Sequence, residues 1–197
     1  LSSLLLSRRL RPVAVLWLGL LFGALIFYGA QLNLISRGWA WQGYQVKASR
    51  DTIYGNITVL TEGSQLSFFE NGVWNFTYPD PLTAEEAVHF ALLEHPMPRD
   101  LLLIGGGVGG LIGESLKHPS LHHVDYVELD PTLITMGREL LPPAAALPLD
   151  DPRVRIIYTD GRRFVQHDER RYDVVILHLP DPTTARLNRC YTREFFI

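Results

Sequence analysis

Residues 101–110 read LLLIGGGVGG, an apolar run that stops abruptly in a glycine loop. Four consecutive aliphatic residues, Leu101 to Ile104, fit a strand buried on both faces of a parallel sheet, where neither face alternates toward water. Within the loop, Gly105, Gly107 and Gly110 keep the G-x-G-x-x-G spacing, and Gly106 and Gly109 add to it. Glycines so spaced allow a tight turn, close approach of a ligand to the backbone, and packing of the next helix on the strand. A helix is predicted over 111–117.

Downstream the pattern repeats. Val124 to Glu128 reads as a second strand, Thr132 to Leu141 as a second helix, and Val154 to Tyr158 and Val174 to Leu177 as further strands. This alternation predicts a doubly wound, Rossmann-like α/β sheet. Upstream, Ile57–Leu60, Leu66–Phe69 and Val73–Phe76 are short β-rich runs, and Asn71-Gly72 is a tight-hairpin dipeptide. A small antiparallel sheet is expected there, followed by a helix with Thr83 as N-cap and Glu86 as its capping-box partner.

Carboxylates stand where the strands end. Glu128 lies at the end of the second strand, 18 residues past Gly110, where it can accept hydrogen bonds from ribose hydroxyls, and Asp130 follows it. That much suits a nicotinamide cofactor equally. The third strand ends in Thr159-Asp160-Gly161, which puts another carboxylate at the same edge, within reach of an adenine amino group. The competing reading makes these acids loop and helix caps.

The chain has 197 residues, 47% hydrophobic and 20% charged, with net charge −3. Eighteen basic residues against 21 acidic leave no basic surface for nucleic acid. The single cysteine, Cys190, has no disulfide partner, and His118, His122 and His123 lack the spacing of a metal site, so no metal is expected. The apolar excess is concentrated in VAVLWLGLLFGALIFYGA at 13–30, inside a window without charge from Pro12 to Ser36. About 20 apolar residues span a bilayer, so a transmembrane helix is expected, with lipid as its partner; a signal peptide or a buried core helix are the alternatives. Flanking charges, Arg8, Arg9 and Arg11 against Arg37, Lys47 and Arg50, leave orientation undecided. The chain opens without methionine and stops at Phe195-Phe196-Ile197, and so reads as a fragment.

Five segments together resemble the spermidine synthase family, the polyamine aminopropyltransferases: LLLIGGGVGG at 101–110, HVDYVELDP at 123–131, DDPRVRIIYTDGRRF at 150–164, YDVVILHLPDP at 172–182 and NRCYTREFF at 188–196. The resemblance covers about residues 52–197 and implies the fold of class I methyltransferases. It divides the chain into a transmembrane segment with flanks (1–40), a small β-hairpin domain (50–80) and a C-terminally truncated catalytic domain (81–197). It also implies decarboxylated S-adenosylmethionine as co-substrate, held by Gly105, Gly106, Gly107, Gly109, Gly110, Glu128, Asp130, Asp160 and Gly161. An amine or other nucleophile would be the acceptor, with contacts from Asn75, His89 and Tyr191, and a homodimer is a further implied partner. Some bacterial members carry several membrane spans, which suggests an inner-membrane protein. Because the donor is made in the cytosol, the catalytic domain is expected on the cytoplasmic side.

Departures from the family pattern fall on charged positions. Val108 stands where the loop usually carries Asp, Asn75 where a Gln is usual, and Phe90 follows His89 where Glu is usual. His178 replaces the catalytic Asp of Asp-Ser-x-Asp-Pro, while Asp181 remains; these two are the candidate catalytic residues. Methyl transfer from S-adenosylmethionine itself, and a non-catalytic ligand-binding domain of a membrane protein, stay open as alternatives.

Overall fold

The computed structural model describes residues 15–29, 36, 39–182 and 184–196, in two units, 1–44 and 45–197. In the first, residues 15–29 form helix α1, which exposes apolar side chains on every side, Trp17, Leu21, Phe22, Ile26 and Phe27 among them. At 1.5 Å per residue it is about 22 Å long, short of the roughly 30 Å of a bilayer core. No helix among the described residues is long and apolar enough to cross a membrane. That corrects the expected span for the part described; its residues 13, 14 and 30 lie outside the described residues.

The second unit opens with β1 (Gln45–Thr52), β2 (Gly55–Glu62), β3 (Gln65–Glu70) and β4 (Val73–Tyr78), an antiparallel meander in that order. Its last hairpin turns at Asn71 and Gly72, with φ of 53° and 79°, the left-handed pair that a two-residue turn demands. Val59, Phe68 and Phe76 stand in register across three strands and are buried, the two phenyl rings stacked at 4.4 Å. This face joins Leu101, Leu103, Leu111, Tyr126 and Ile134 in one hydrophobic core, so the meander is fastened to the α/β part by burial of apolar surface.

Helix α2 (Pro81–Leu93) begins earlier than its capping-box reading: Asp80 is the N-cap, and its carboxylate accepts from the Thr83 amide and hydroxyl. Pro81 explains the shift, because proline is pre-organised for the first helical position and lacks the N–H that would go unpaired there. Ala84, Val88 and Leu92, four residues apart, form its buried stripe.

The parallel sheet consists of β5 (Asp100–Ile104), β6 (His123–Glu128), β7 (Val154–Tyr158) and β8 (Val174–Leu177), ordered β7-β6-β5-β8. Helices α3 (Leu111–Ser115), α4 (Pro131–Leu140), α5 (Pro143–Ala146) and α6 (Gly161–His167) lie between the strands in sequence, and α7 (Ala185–Asn188) follows β8. The chain builds outward from β5 to β7, then crosses back to place β8 on the other side of β5. Adjacent β5 and β8 therefore run to connections on opposite sides, and a crevice opens at their carboxyl ends, the usual ligand position in such sheets.

Candidate active site

The glycine loop sits over that crevice. The Gly105 amide donates to Val127 O at 3.1 Å and the His178 amide to Ile104 O at 2.9 Å, joining the ends of β6, β5 and β8. Gly106 has φ 72°, and a Cβ there would lie 2.7 Å from the His178 ring. At Gly107 a Cβ would come within 2.5 Å of the Tyr126 ring. Gly105 and Gly106 line the cavity, whereas Gly107, Gly109 and Gly110 support it from below, packed toward Tyr126, Phe76 and Ala84. Val108 is buried and turned under α4, where any side chain at Gly137 would strike it.

The cavity holds about 280 Å³ between the meander and the sheet edge. Glu128 lies on its wall, 7% exposed, and is held by three donors: Tyr126 Oη to Oε2 at 2.7 Å, and the Leu129 and Asp130 amides to Oε1 at 2.8 and 3.2 Å. Burial pushes its carboxyl above the ordinary range, and these hydrogen bonds pull it part of the way back. Asp160 and Gly161 line the cavity as well. The Asp160 carboxylate caps α6 through the Arg163 amide at 3.0 Å and forms an ion pair with Arg189. Asp130 does not line the cavity; it is the buried N-cap of α4, accepting from the Thr132 amide and from Thr52 of β1.

Of the two candidate catalytic residues, only His178 reaches the cavity. Burial pushes its pKa below the usual 6.5, and among the described residues its imidazole makes no hydrogen bond. Asp181, the other candidate, is exposed on the following loop and does not line the cavity. Tyr191 is likewise outside the lining. Its hydroxyl donates to Leu179 O at 2.9 Å, which fastens the loop that carries His178 to Pro180.

From the meander, Asn75 is buried and lines the cavity, and its Nδ2 donates to Oε1 of Glu70 at 2.5 Å. Glu70 shares that wall and is a carboxylate that the sequence reading passed over. It immediately precedes the Asn71-Gly72 turn, and the period-2 alternation of β3 was the signal that it faces the same way as the buried Phe68. Arg189 and Cys190 complete the far wall, the thiol kept protonated by burial. His89 falls elsewhere: it bonds His118 Nε2 at 2.8 Å and Glu114 at 3.3 Å across the α2–α3 contact, away from the cavity.

The family model for the spermine/spermidine synthase domain matches residues 81–197. The polyamine aminopropyltransferase of Moorella thermoacetica is 45% identical over 155 residues, covering 78% of this chain and 50% of the relative. That of Pyrobaculum calidifontis is 33% identical over 147 residues, covering 73% and 48%. The chain thus spans about half the length of the curated relatives it matches. Among solved structures, a spermidine synthase in complex with the transition-state analogue AdoDATO superposes with a TM-score of 0.70 at 29% identity, covering 77% of this chain and 52% of that one. The spermidine synthase of Thermotoga maritima gives 0.68 at 30% identity, covering 77% and 51%. Matched by the family model over more than half its length and by these relatives across both the meander and the parallel sheet, the chain belongs to the spermine/spermidine synthase family.

Proposed function

We propose that this chain carries the donor-binding part of a polyamine aminopropyltransferase, which binds decarboxylated S-adenosylmethionine and passes its aminopropyl group to an amine. The observation that carries the reading is the cavity itself: a side-chain-free floor at Gly105 and Gly106, with Glu128 and Asp160 at the ends of adjacent strands. Glu128 keeps acceptor capacity beyond its three donors and is suited to ribose hydroxyls. Asp160, neutralised by Arg189, is suited to the adenine amino group. Asp130 and His89 are assigned to the architecture.

In this reading a neutral amine attacks the methylene carbon beside the sulfonium. The new C–N bond forms as the C–S bond breaks, methylthioadenosine leaves with the electron pair, and the nitrogen's proton passes to a base. His178 is the base: burial keeps its imidazole neutral at pH values where an ordinary histidine is already half protonated.

The meander, whose first strand begins at Gln45 rather than within the expected 50–80, is the small domain of this enzyme, and 81–197 is its α/β domain. Residues 1–40 are proposed to anchor it at a bacterial inner membrane with the active site on the cytoplasmic side. The charge-free window from Pro12 to Ser36 and the exposed apolar side chains of α1 support that placement.

The test is release of methylthioadenosine from decarboxylated S-adenosylmethionine across a panel of di- and polyamines. Product from the wild type and none from His178→Ala is the expected result. Release of S-adenosylhomocysteine from S-adenosylmethionine would instead establish methyl transfer, a reading favoured by the uncharged glycine loop at Val108. Binding without either product would make the chain a ligand-binding domain.

A further inference from the structure

We propose that the junction of β4 and α2 holds a subsite for the acceptor's second charge: Asp80 and the Trp74 ring receive the far ammonium of a short diamine whose other nitrogen lies at His178. The subsite rests on the aminopropyltransferase reading, whose acceptor class it narrows.

His178 borders two cavities. With Gly105 and Gly106 it lines the donor cavity, and it also lines a second, small one of about 10 Å³ between β4, the start of α2 and the glycine loop. That volume is about room for a single water-sized group, and an ammonium head is such a group. Trp74 and Asp80 line the small cavity, where Ala84 and Gly109 leave space by carrying only a methyl group and no side chain. Asp181 lines neither cavity.

Asp80 keeps its charge available. Its Oδ1 accepts from the Thr83 amide at 3.2 Å and its Oδ2 from the Thr83 hydroxyl at 2.7 Å, and among the described residues no cation pairs with it. A carboxylate offers about four acceptor sites, so both oxygens retain capacity. Trp74 is 47% exposed but tethered: its indole N–H donates to Thr77 Oγ1 at 3.1 Å, and Thr77 bonds Ser67 on β3 at 2.8 Å. A fixed aromatic face adds to the attraction of a carboxylate for an ammonium. Attack on the donor needs a neutral nitrogen, whose proton His178 takes. The far nitrogen of a diamine stays protonated at neutral pH, and it leaves water at little cost only where a carboxylate meets it. A monoamine of the same length would instead set a methyl group against Asp80 and strip water from a charge without replacing it.

The test compares diaminobutane with butylamine as acceptors at saturating decarboxylated S-adenosylmethionine, following methylthioadenosine release by the whole chain. Asparagine caps a helix about as well as aspartate, so Asp80→Asn removes the charge and keeps the N-cap. In this variant the ratio of kcat/KM for diaminobutane to that for butylamine is expected to fall about tenfold, the loss of a charge-assisted hydrogen bond. Trp74→Leu should lower the same ratio about threefold, and it carries the comparison if Asp80→Asn melts below the assay temperature. A ratio left unchanged by the substitution overturns the subsite, as does a wild type that uses both amines equally well. A wild type that binds the donor but releases methylthioadenosine with neither amine overturns the aminopropyltransferase reading, and the subsite with it.

Discussion

Tyr126 donates its hydroxyl to Oε2 of Glu128 at 2.7 Å from two positions earlier on the same face of β6. Both side chains are buried, and the Tyr126 ring is also the surface on which Gly107 rests. One aromatic residue therefore sets the height of the glycine loop and the orientation of the carboxylate beside it.

Tyr126→Phe keeps the ring under Gly107 while removing one of the three donors to Glu128 and the hydroxyl that accepts from the Val108 backbone. The carboxylate loses an interaction that lowers its pKa and gains freedom to rotate. Donor affinity should fall by about tenfold and stability by about 1 kcal/mol, the net worth of a hydrogen bond to a partly satisfied acceptor. Calorimetric titration and thermal melts of the pair decide it; unchanged affinity would mean that the backbone amides of Leu129 and Asp130 orient Glu128 unaided.

A charged Glu128 is held at a cost, and the cost has a sign. Its folded-state pKa is raised above the unfolded value of 4.5, so between the two the folded chain binds more protons than the unfolded one. Stability from this group is full below 4.5 and is lost as pH rises through the folded pKa. Glu128→Gln removes that dependence. The melting temperature of the variant relative to the wild type should rise between about pH 4.5 and neutrality, while the variant binds donor more weakly. A difference that is flat or falls with pH would show that burial does not dominate at Glu128.

The sheet was legible because its two central strands are buried on both faces: β5 is aliphatic from Leu101 to Ile104 and β6 is buried from Val124 to its terminal Glu128, while the partly exposed edge strands β7 and β8 each begin with Val. The hairpin was legible from Asn71-Gly72, which few other conformations suit. Strand β1 was not, because QVKASRDT is an edge strand, polar and mostly exposed, and carries no apolar alternation. Helix α6 buries no residue and so shows no amphipathic period. In the site, Glu128 and Asp160 followed from their places at strand ends, and Asn75 and His178 from the family resemblance. Glu70 did not, since its place on the cavity wall depends on the meander folding over a sheet edge some thirty residues downstream. Asp181, named from the family pattern, lies outside the cavity because the chain is exposed after Pro180.

Asp125 precedes Tyr126 on β6 and, by the alternation of a strand, points to the other face. There it is buried and collects Arg155 through both oxygens at 2.8 and 2.9 Å, Arg170 at 2.6 Å and the Tyr172 hydroxyl at 2.7 Å. This cluster ties β6 to β7 and to the segment entering β8. It separates architecture from the cavity within two acidic positions, Asp125 and Glu128, three residues apart on one strand. Both arginines are substantially exposed, so their pairing is screened and the tyrosine bond carries a large share. Asp125→Asn should lower stability by about 2 kcal/mol, because the arginines lose their common counter-charge and Tyr172 a charged acceptor. Donor affinity should stay within about twofold of wild type, since sites on opposite faces of the sheet with no shared partner act independently. A large loss of donor affinity at unchanged stability would place Asp125 in the binding machinery instead.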